Sequence, residues 1–132
     1  MLSPTHVYGV TFERGTSVDY RDRRHVLISG TASIDRNGEI VHPGDVIRQL
    51  DRTLKNVEAL LAAADASLPD MVSLVAYVRD PADAETVRQQ LRERVGDVPL
   101  QVLNASVCRP GWLVEVEGLA IASADNSDLP EF

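Results

Sequence analysis

The segment 113–122 alternates as a β-strand does, and large apolar side chains occur on both of its faces. One face is aliphatic throughout and consists of Val114, Val116 and Ala120. The other face mixes aliphatic side chains with two carboxylates and consists of Leu113, Glu115, Glu117, Leu119 and Ile121. Because both faces need to be shielded from water, the segment predicts a strand in a sheet that is covered on both sides.

Two segments have the periodicity of an amphipathic helix. The first begins near Pro43 and Asp45, and its apolar positions are Val46, Leu50, Leu54, Val57 and Leu61. The second begins at Asp80-Pro81, which is typical of an N-cap followed by proline, and its apolar positions are Val87, Leu91 and Val95. Two helices can cover only one face of the sheet. Another copy of the chain must cover the other face, so the pattern predicts a homo-oligomer without giving the number of subunits.

The other strands are predicted from short β-rich runs between turn residues, and they span 6–13, 25–32, 39–41, 71–79 and 100–107. A turn region at Gly15, Asp19 and Asp22 separates the first two, and Arg36-Asn37-Gly38 forms a tight turn. The order β-β-(β)-α-β-α-β-β predicts a single α+β domain over residues 1–124. The polar and acidic residues 125–132 are predicted to be disordered.

Composition excludes several function classes. The 132 residues are 44% hydrophobic, yet no apolar run approaches the roughly 18 residues of a membrane span, and the amino terminus does not resemble a secretory signal. The net charge of −7 argues against a nucleic-acid partner. The single cysteine, Cys108, fits a reducing compartment. These features predict a soluble cytoplasmic protein.

Metal and cofactor sites are not expected either. The three histidines, His6, His25 and His42, are scattered and have no carboxylate at ligand spacing. The chain also lacks a glycine-rich phosphate loop. We therefore predict chemistry without a cofactor, on a small molecule.

Four segments, in one order, resemble the RidA/YjgF family. Residues 25–39 resemble its I-S-G-Q-x-x-x-D-x-x-G-E segment, and residues 49–57 its Q-x-x-x-x-x-x-N-V stretch. Residues 75–80 resemble V-F-V-x-D, and the Glu115/Glu117 strand resembles I-E-I-E-A-I-A. The resemblance runs from about residue 7 to 122. It implies a chorismate-mutase-like fold, a mixed sheet with two helices on one face, and a homotrimer with small-molecule clefts between its subunits.

RidA itself hydrolyses enamines and imines of the 2-aminoacrylate type to 2-keto acids and ammonia. The resemblance places Ser29, Gly30 and Glu115 in the cleft. The family also has an arginine that holds the substrate carboxylate, and the resemblance puts Gln101 at that position. A cysteine that lies near this arginine in the family is replaced by Leu103. Because an amide brings no charge, we predict that imino acids of the 2-aminoacrylate type bind poorly.

Glu115 is the strongest acid/base candidate. It shares a face with Leu113 and Leu119, where burial should raise the pKa of the Glu115 carboxyl. Glu117 lies one step along the same face, and its charge should raise that pKa further. The hydroxyl of Ser29 fits a cleft group and a backbone-bonded strand hydroxyl equally well.

Residues 107–118 also resemble the last strand pair of chorismatases, whose carboxy-terminal half is RidA-like. There, a glutamate that matches Glu115 donates a proton to an enolpyruvyl methylene, and the position of Cys108 tunes the outcome. Chorismate hydrolysis itself is not expected, because the sequence holds no counterpart of the other half of a chorismatase.

Three neighbouring residues leave alternatives open. Arg109 is either a cation at the cleft mouth or a solvated loop residue, Trp112 is interface packing or a lid, and Cys108 is a small buried residue or a nucleophile. Two function classes follow. The first is a cofactor-free hydrolase that uses Glu115 as acid/base, and the second is a non-catalytic small-molecule sensor or accessory protein. An endoribonuclease role gains little support from an acidic chain without paired histidines.

Overall fold

A computed structural model describes Thr5 and residues 11–130, and it contains a five-stranded mixed sheet with helices on one face. The elements are β1 (Gly15–Asp19), β2 (Arg23–Ala32), α1 (Val46–Ala62), β3 (Met71–Val78), α2 (Ala84–Val95), β4 (Leu100–Asn104) and β5 (Val114–Ser123). The strand order is β1-β2-β5-β3-β4. Only β3 and β4 are parallel, because α2 connects them. The predicted α+β class is confirmed.

Helix α1 begins where the sequence indicates, whereas α2 begins at Ala84, later than the predicted start at Asp80-Pro81. The Asp45 side chain accepts a hydrogen bond of 2.9 Å from the amide of Arg48 and so caps α1. Asp80 caps a short 3-10 turn, Pro81–Asp83, that leads into α2. Pro43 differs from the prediction, because it lies in a turn before the cap rather than in the first helical turn.

The core lies between the helices and one face of the sheet. The aliphatic face of β5 is buried, as are the apolar positions Leu54 and Leu61 of α1 and Leu91 of α2. Helix α1 lies over β2 and β5, whereas α2 packs near β3 and β4. The predicted inner face and the predicted helix stripes are therefore confirmed.

The opposite face of the sheet has no cover within the described chain. Val18, Leu27 and Leu103 belong to it and are 43%, 48% and 44% exposed. Leu119 of β5 pairs with Leu27 on this face. We call this surface, centred on Val18, Leu27, Leu103 and Leu119, the open face.

The first strand lies later in the chain than predicted. Of the predicted strand 6–13, residues 6–10 lie outside the described residues and residues 11–13 are irregular. Instead, β1 pairs with β2 over the region predicted as a turn, from Gly15 opposite Ile28 to Asp19 opposite Arg24. Asp19 has a strand position because its carboxylate pairs with the Arg24 guanidinium at 2.5 Å across the hairpin.

Two other predicted strands are shorter. The predicted strand 39–41 is a single bridge between Ile34 and Ile40. Strand β4 ends at Asn104, whose side-chain amide donates to the carbonyl oxygens of Val78 and Arg79 at 3.0 and 3.1 Å. The backbone amide of Ala105 makes a last bond to the carbonyl of Val78 at 3.0 Å, and the predicted continuation to residue 107 does not form.

The segment after β5 returns to the β1–β2 turn. The backbone amide of Asn126 donates to the carbonyl of Arg21, and its side-chain amide donates to that of Tyr20, both at 2.8 Å. These bonds hold the start of the segment for which the sequence predicts disorder, and residues 131–132 lie outside the described residues. None of the described helices is long and apolar enough to cross a membrane.

Candidate functional site

A β-bulge interrupts the pairing of β2 with β5. Ile28 pairs with Gly118 and Thr31 pairs with Val116, so two residues of β2 stand opposite one residue of β5. The two residues are Ser29-Gly30. A bulge bends its strand and redirects side chains, and bulges are common beside functional sites.

The Glu115 carboxyl lies directly over Gly30. A Cβ atom on Gly30 would be 3.0 Å from Cδ of Glu115 and closer still to its Oε1. No side chain larger than hydrogen fits there while the carboxyl keeps its place. Gly30 is therefore required by close approach of a functional group, and the bulge provides the surface on which that group lies.

The surroundings of Glu115 favour its protonated form. Burial raises the pKa of the Glu115 carboxyl above its usual range, and the nearby charge of Glu117 raises it further. The predicted direction and both predicted causes are thus confirmed. A carboxyl group that keeps its proton closer to neutral pH is suited to general acid catalysis.

Glu117 has a different environment. The Tyr77 hydroxyl donates a hydrogen bond of 2.7 Å to its Oε1, and this bond raises the pKa of Tyr77. Tyr77 pairs with Glu115 across β3 and β5, so all three groups lie on one face of the sheet. Two carboxyl groups two residues apart therefore have separate surroundings.

A cavity of about 350 Å³ opens beside Glu115, which is within the size range of small-molecule sites. Its apolar walls are Phe12, Ala32, Ile34 and Trp112. Its polar lining comes from Arg14, Ser29, Cys108, Arg109 and Glu115. The site thus combines an apolar chamber with one acid and two guanidinium groups.

Arg79 holds the loop that forms one wall. Its Nε donates to the carbonyl of Trp112 at 2.9 Å, and its Nη2 donates to the carbonyls of Val107 and Arg109 at 2.8 and 2.9 Å. One side chain at the end of β3 therefore binds three backbone carbonyls of the segment 107–112. This explains how a loop without regular structure can form a defined wall.

Two buried amides of α1 hold both sides of the cavity. Gln49 Nε2 donates to the carbonyl of Gly111 at 2.9 Å. Asn56 Nδ2 donates to the carbonyls of Ala32 and Ile34, both at 3.0 Å. Gln49 and Asn56, which match the glutamine and asparagine of the family stretch, thus support the walls from behind and do not line the cavity.

Trp112 is part of a packed wall. It is 8% exposed, its Nε1 donates to the carbonyl of Ser33 at 3.2 Å, and it packs with Ala32 and Ile34. The Arg109 guanidinium lies 5.2 Å from the ring centroid, and its Nη1 donates to the carbonyl of Gly38 at 2.9 Å. Arg109 is therefore held at the cavity rather than extended into solvent.

The Ser29 hydroxyl makes a hydrogen bond within the fold. Its Oγ donates to the carbonyl of Glu13 at 2.6 Å, and its amide donates to the carbonyl of Arg14 at 3.1 Å. The backbone of Glu13-Arg14 therefore orients Ser29. The hydroxyl oxygen can still accept a hydrogen bond from a ligand.

Six of the seven predicted site residues line the cavity, namely Ser29, Gly30, Cys108, Arg109, Trp112 and Glu115. Gln101 does not. It is exposed on β4 opposite Val75, and it points to the open face. Sequence reasoning missed Phe12 and Tyr77, although strand alternation could have placed Tyr77 on the face of Glu117. Among the residues that the structure describes, no group of histidine, cysteine and acidic side chains could hold a metal ion.

We predict that Gly30→Ala expels the Glu115 carboxyl from its position, because the added methyl group occupies the same space. The pKa of Glu115 should then fall towards its usual range. The overpacking should cost about 1–3 kcal/mol in the free energy of unfolding, measured by urea denaturation. Gly15→Ala is the control, since its Cβ would meet the carbonyl of Leu27 at 3.4 Å and should fit. A crystal structure of Gly30→Ala with the carboxyl unmoved would contradict this account.

We also predict that Glu115→Gln stabilises the protein at high pH. Because the pKa of Glu115 is raised on folding, the folded state binds the proton more tightly, and stability falls as pH rises from the unfolded to the folded pKa. The neutral amide removes this loss, so Tm should rise at about pH 8 and change little at about pH 4. The exposed Glu93→Gln variant should match the wild type at both. An equal Tm for wild type and Glu115→Gln at high pH would argue against the buried carboxyl.

Comparison with known proteins identifies the family. A sequence model of the Endoribonuclease L-PSP family matches residues 17–122. The chain is 32% identical over 106 residues to a 3-hydroxybenzoate synthase of Streptomyces hygroscopicus, covering 73% of this chain and 31% of that protein. It is 29% identical over 97 residues to the 3-aminoacrylate deaminase RutC of Acinetobacter baylyi, covering 72% of this chain and 77% of RutC.

A crystal structure of chorismatase superposes with a TM-score of 0.81 at 29% identity, covering 90% of this chain and 40% of that one. The chain thus spans about a third of the length of the first curated relatives it matches. The matched range includes both helices, all five strands except the first two residues of β1 and the last residue of β5, and most of the cavity lining. The chain belongs to the Endoribonuclease L-PSP family, which includes the RidA/YjgF proteins.

Proposed function

We propose that the protein is a cofactor-free hydrolase or deaminase that acts on a small enamine, imine or enol. The observation that supports this most directly is the Glu115 carboxyl, whose pKa is raised where it lies over Gly30 in a ligand-sized cavity. Such a carboxyl can deliver a proton to an electron-rich carbon. Enamines and enols both present a nucleophilic C=C carbon, so the same site could protonate either. An imine enters the same sequence at the iminium stage, once its nitrogen is protonated.

The proposed reaction has two steps. Glu115 first transfers its proton to the terminal carbon of the C=C bond, which gives an iminium or oxocarbenium cation and leaves the carboxylate. Water then adds to the cationic carbon, and the adduct loses ammonia or an alcohol to give the carbonyl product. The proton released by the added water restores Glu115. The hydroxyl oxygen of Ser29 and the backbone of Gly30 are positioned to orient the substrate or the water.

The lining indicates the type of substrate. Arg14 and Arg109 border the same cavity as Glu115, so an anionic substrate is favoured over a neutral one. In this proposal they supply the positive charge that Gln101 lacks. The apolar walls and the volume favour a larger unsaturated carbon skeleton than that of 2-aminoacrylate. Imino acids of that small type remain poor candidates.

The relatives are consistent with this chemistry. RutC is a 3-aminoacrylate deaminase by name, and aminoacrylate is an enamine. The 3-hydroxybenzoate synthase and the chorismatase match the chain over only part of their own length. Their complete activities are therefore not proposed for this chain. The one feature that we propose this chain shares with them is proton delivery by a glutamate, which is Glu115 here.

We further propose that the protein is a homotrimer in the cytoplasm. The open face exposes aliphatic side chains on several strands, and no described element covers it. A second and a third copy would shield it and would extend the cavity into a cleft between subunits. In such an assembly Gln101, which points to the open face, would lie near a neighbouring subunit.

Non-catalytic binding is the second candidate function. The Ser29 hydroxyl already donates a hydrogen bond to the backbone carbonyl of Glu13, and Gln101 stands where the family resemblance implies an arginine. Both features suit a sensor or accessory protein that retains the cavity. Binding of an unsaturated carboxylate by calorimetry, with no product formed over hours, would favour this candidate.

We predict that Glu115→Gln abolishes hydrolysis while leaving the fold intact, because an amide cannot donate the proton. The assay generates enamines and imines in situ and follows the carbonyl product. The expected loss of kcat is at least about a hundredfold. The exposed Glu93→Gln variant is the control and should keep the wild-type activity. If Glu115→Gln turns over at the wild-type rate, the acid lies elsewhere.

We predict a trimer by light scattering at micromolar concentration. Leu119→Asp should dissociate or unfold it, since the charge would be buried in the interface at a cost of several kcal/mol. Ala59→Asp adds the same charge on the exposed surface of α1 and should leave the mass unchanged. A monodisperse wild-type monomer would refute both the trimer and the cleft between subunits.

A further inference from the structure

The two carboxyl groups of β5 differ in their contacts. Glu117 accepts a hydrogen bond of 2.7 Å from the Tyr77 hydroxyl, whereas Glu115 lies over Gly30 in the cavity. Both side chains are on the same face of β5, and Tyr77 is the cross-strand partner of Glu115. The question is which carboxyl holds the proton when the pair carries only one.

We propose that Tyr77 is a positioning residue that holds Glu117 as the ionised member of the pair and so leaves the transferable proton on Glu115. A hydrogen bond from a hydroxyl to a carboxylate favours the charged form of that carboxylate. An ionised Glu117 then disfavours a second negative charge nearby. The inference rests on the proposed function only in naming Glu115 as the acid, since the proton distribution itself can be measured without a substrate.

Among the described residues, the raised pKa of Glu115 has burial as its first cause, and neighbouring charges other than Glu117 do not add to it. From the cavity side, Glu115 is faced by Arg14, Cys108 and Arg109. Yet Glu117 is the charged group that shifts the pKa of Glu115 in addition to burial. On β3 the facing titratable group is Tyr77, and on β2 the pair is faced by the bulge Ser29-Gly30, which does not titrate.

Tyr77 is half-buried on β3, and its hydroxyl makes the hydrogen bond to Glu117. Tyr77→Phe should fold, because it removes only the hydroxyl and keeps the ring. The variant isolates the hydrogen bond to Glu117 from every other function of the side chain.

The test is a double-mutant cycle on Tyr77→Phe and Glu117→Gln, read by ¹³C NMR titration of carboxyl-labelled glutamate. The Glu115 signal is assigned by its loss in Glu115→Gln. Tyr77→Phe removes the hydrogen bond to Glu117, so we expect the midpoint of Glu115 to fall by roughly half a pH unit or more. In the Glu117→Gln background, Tyr77→Phe should have no further effect. Where a substrate is turned over, the alkaline limb of kcat should move with the midpoint and KM should stay unchanged.

An unchanged or raised Glu115 midpoint in folded Tyr77→Phe would overturn the inference. An equal shift with and without Glu117 would also overturn it, because Tyr77 would then act by another route. Light scattering of both variants checks that assembly is unaltered. These results do not depend on turnover. The hydrolase proposal would fail on a different result, namely a Glu115→Gln variant that turns over at the wild-type rate. That result is independent of the NMR titration.

Discussion

The close approach of the Glu115 carboxyl to Gly30 depends on several independent features of the chain. The bulge in β2 places a residue without a side chain opposite β5, and the sheet then keeps the carboxyl half-buried at the edge of the cavity. Burial of a carboxyl group without an ion partner is unfavourable for its charged form. That cost in stability is what gives the site a carboxyl that keeps its proton to a higher pH than an ordinary glutamate does, and it is a trade-off that functional sites commonly show.

The supporting structure lies behind the cavity and uses buried polar groups. Gln49, Asn56 and Arg79 bind backbone carbonyls of the two segments that form the walls. These bonds satisfy loop carbonyls that regular secondary structure leaves unpaired. The helix face towards the sheet is therefore apolar for packing, with amides inserted where the loops need partners. This arrangement lets an irregular loop position Arg109 and Trp112 at the cavity.

Strand alternation and helix periodicity predicted much of this from sequence. They identified the inner face of β5, the helix stripes and the surroundings of Glu115, because these depend on local spacing. The position of β1 could not be predicted, since Asp19 looks like a turn residue until its ion pair with Arg24 is known. The roles of Phe12 and Tyr77 also depend on contacts between distant segments. The family resemblance assigned Gln101 to the substrate cleft. Gln101 lies on the open face of this chain, so it would border that cleft only if a second subunit contributed to the site.

The central claim is that Glu115 holds a proton in the cavity at a pH where an ordinary glutamate is ionised. Infrared difference spectroscopy between wild type and Glu115→Gln tests this directly, because a protonated carboxyl has a C=O stretching band that a carboxylate lacks. We predict a band assignable to Glu115 that persists above the usual pKa of glutamate, about 4.3, and disappears on further rise in pH. If the band is lost at that usual pKa or below it, Glu115 is not the acid described here.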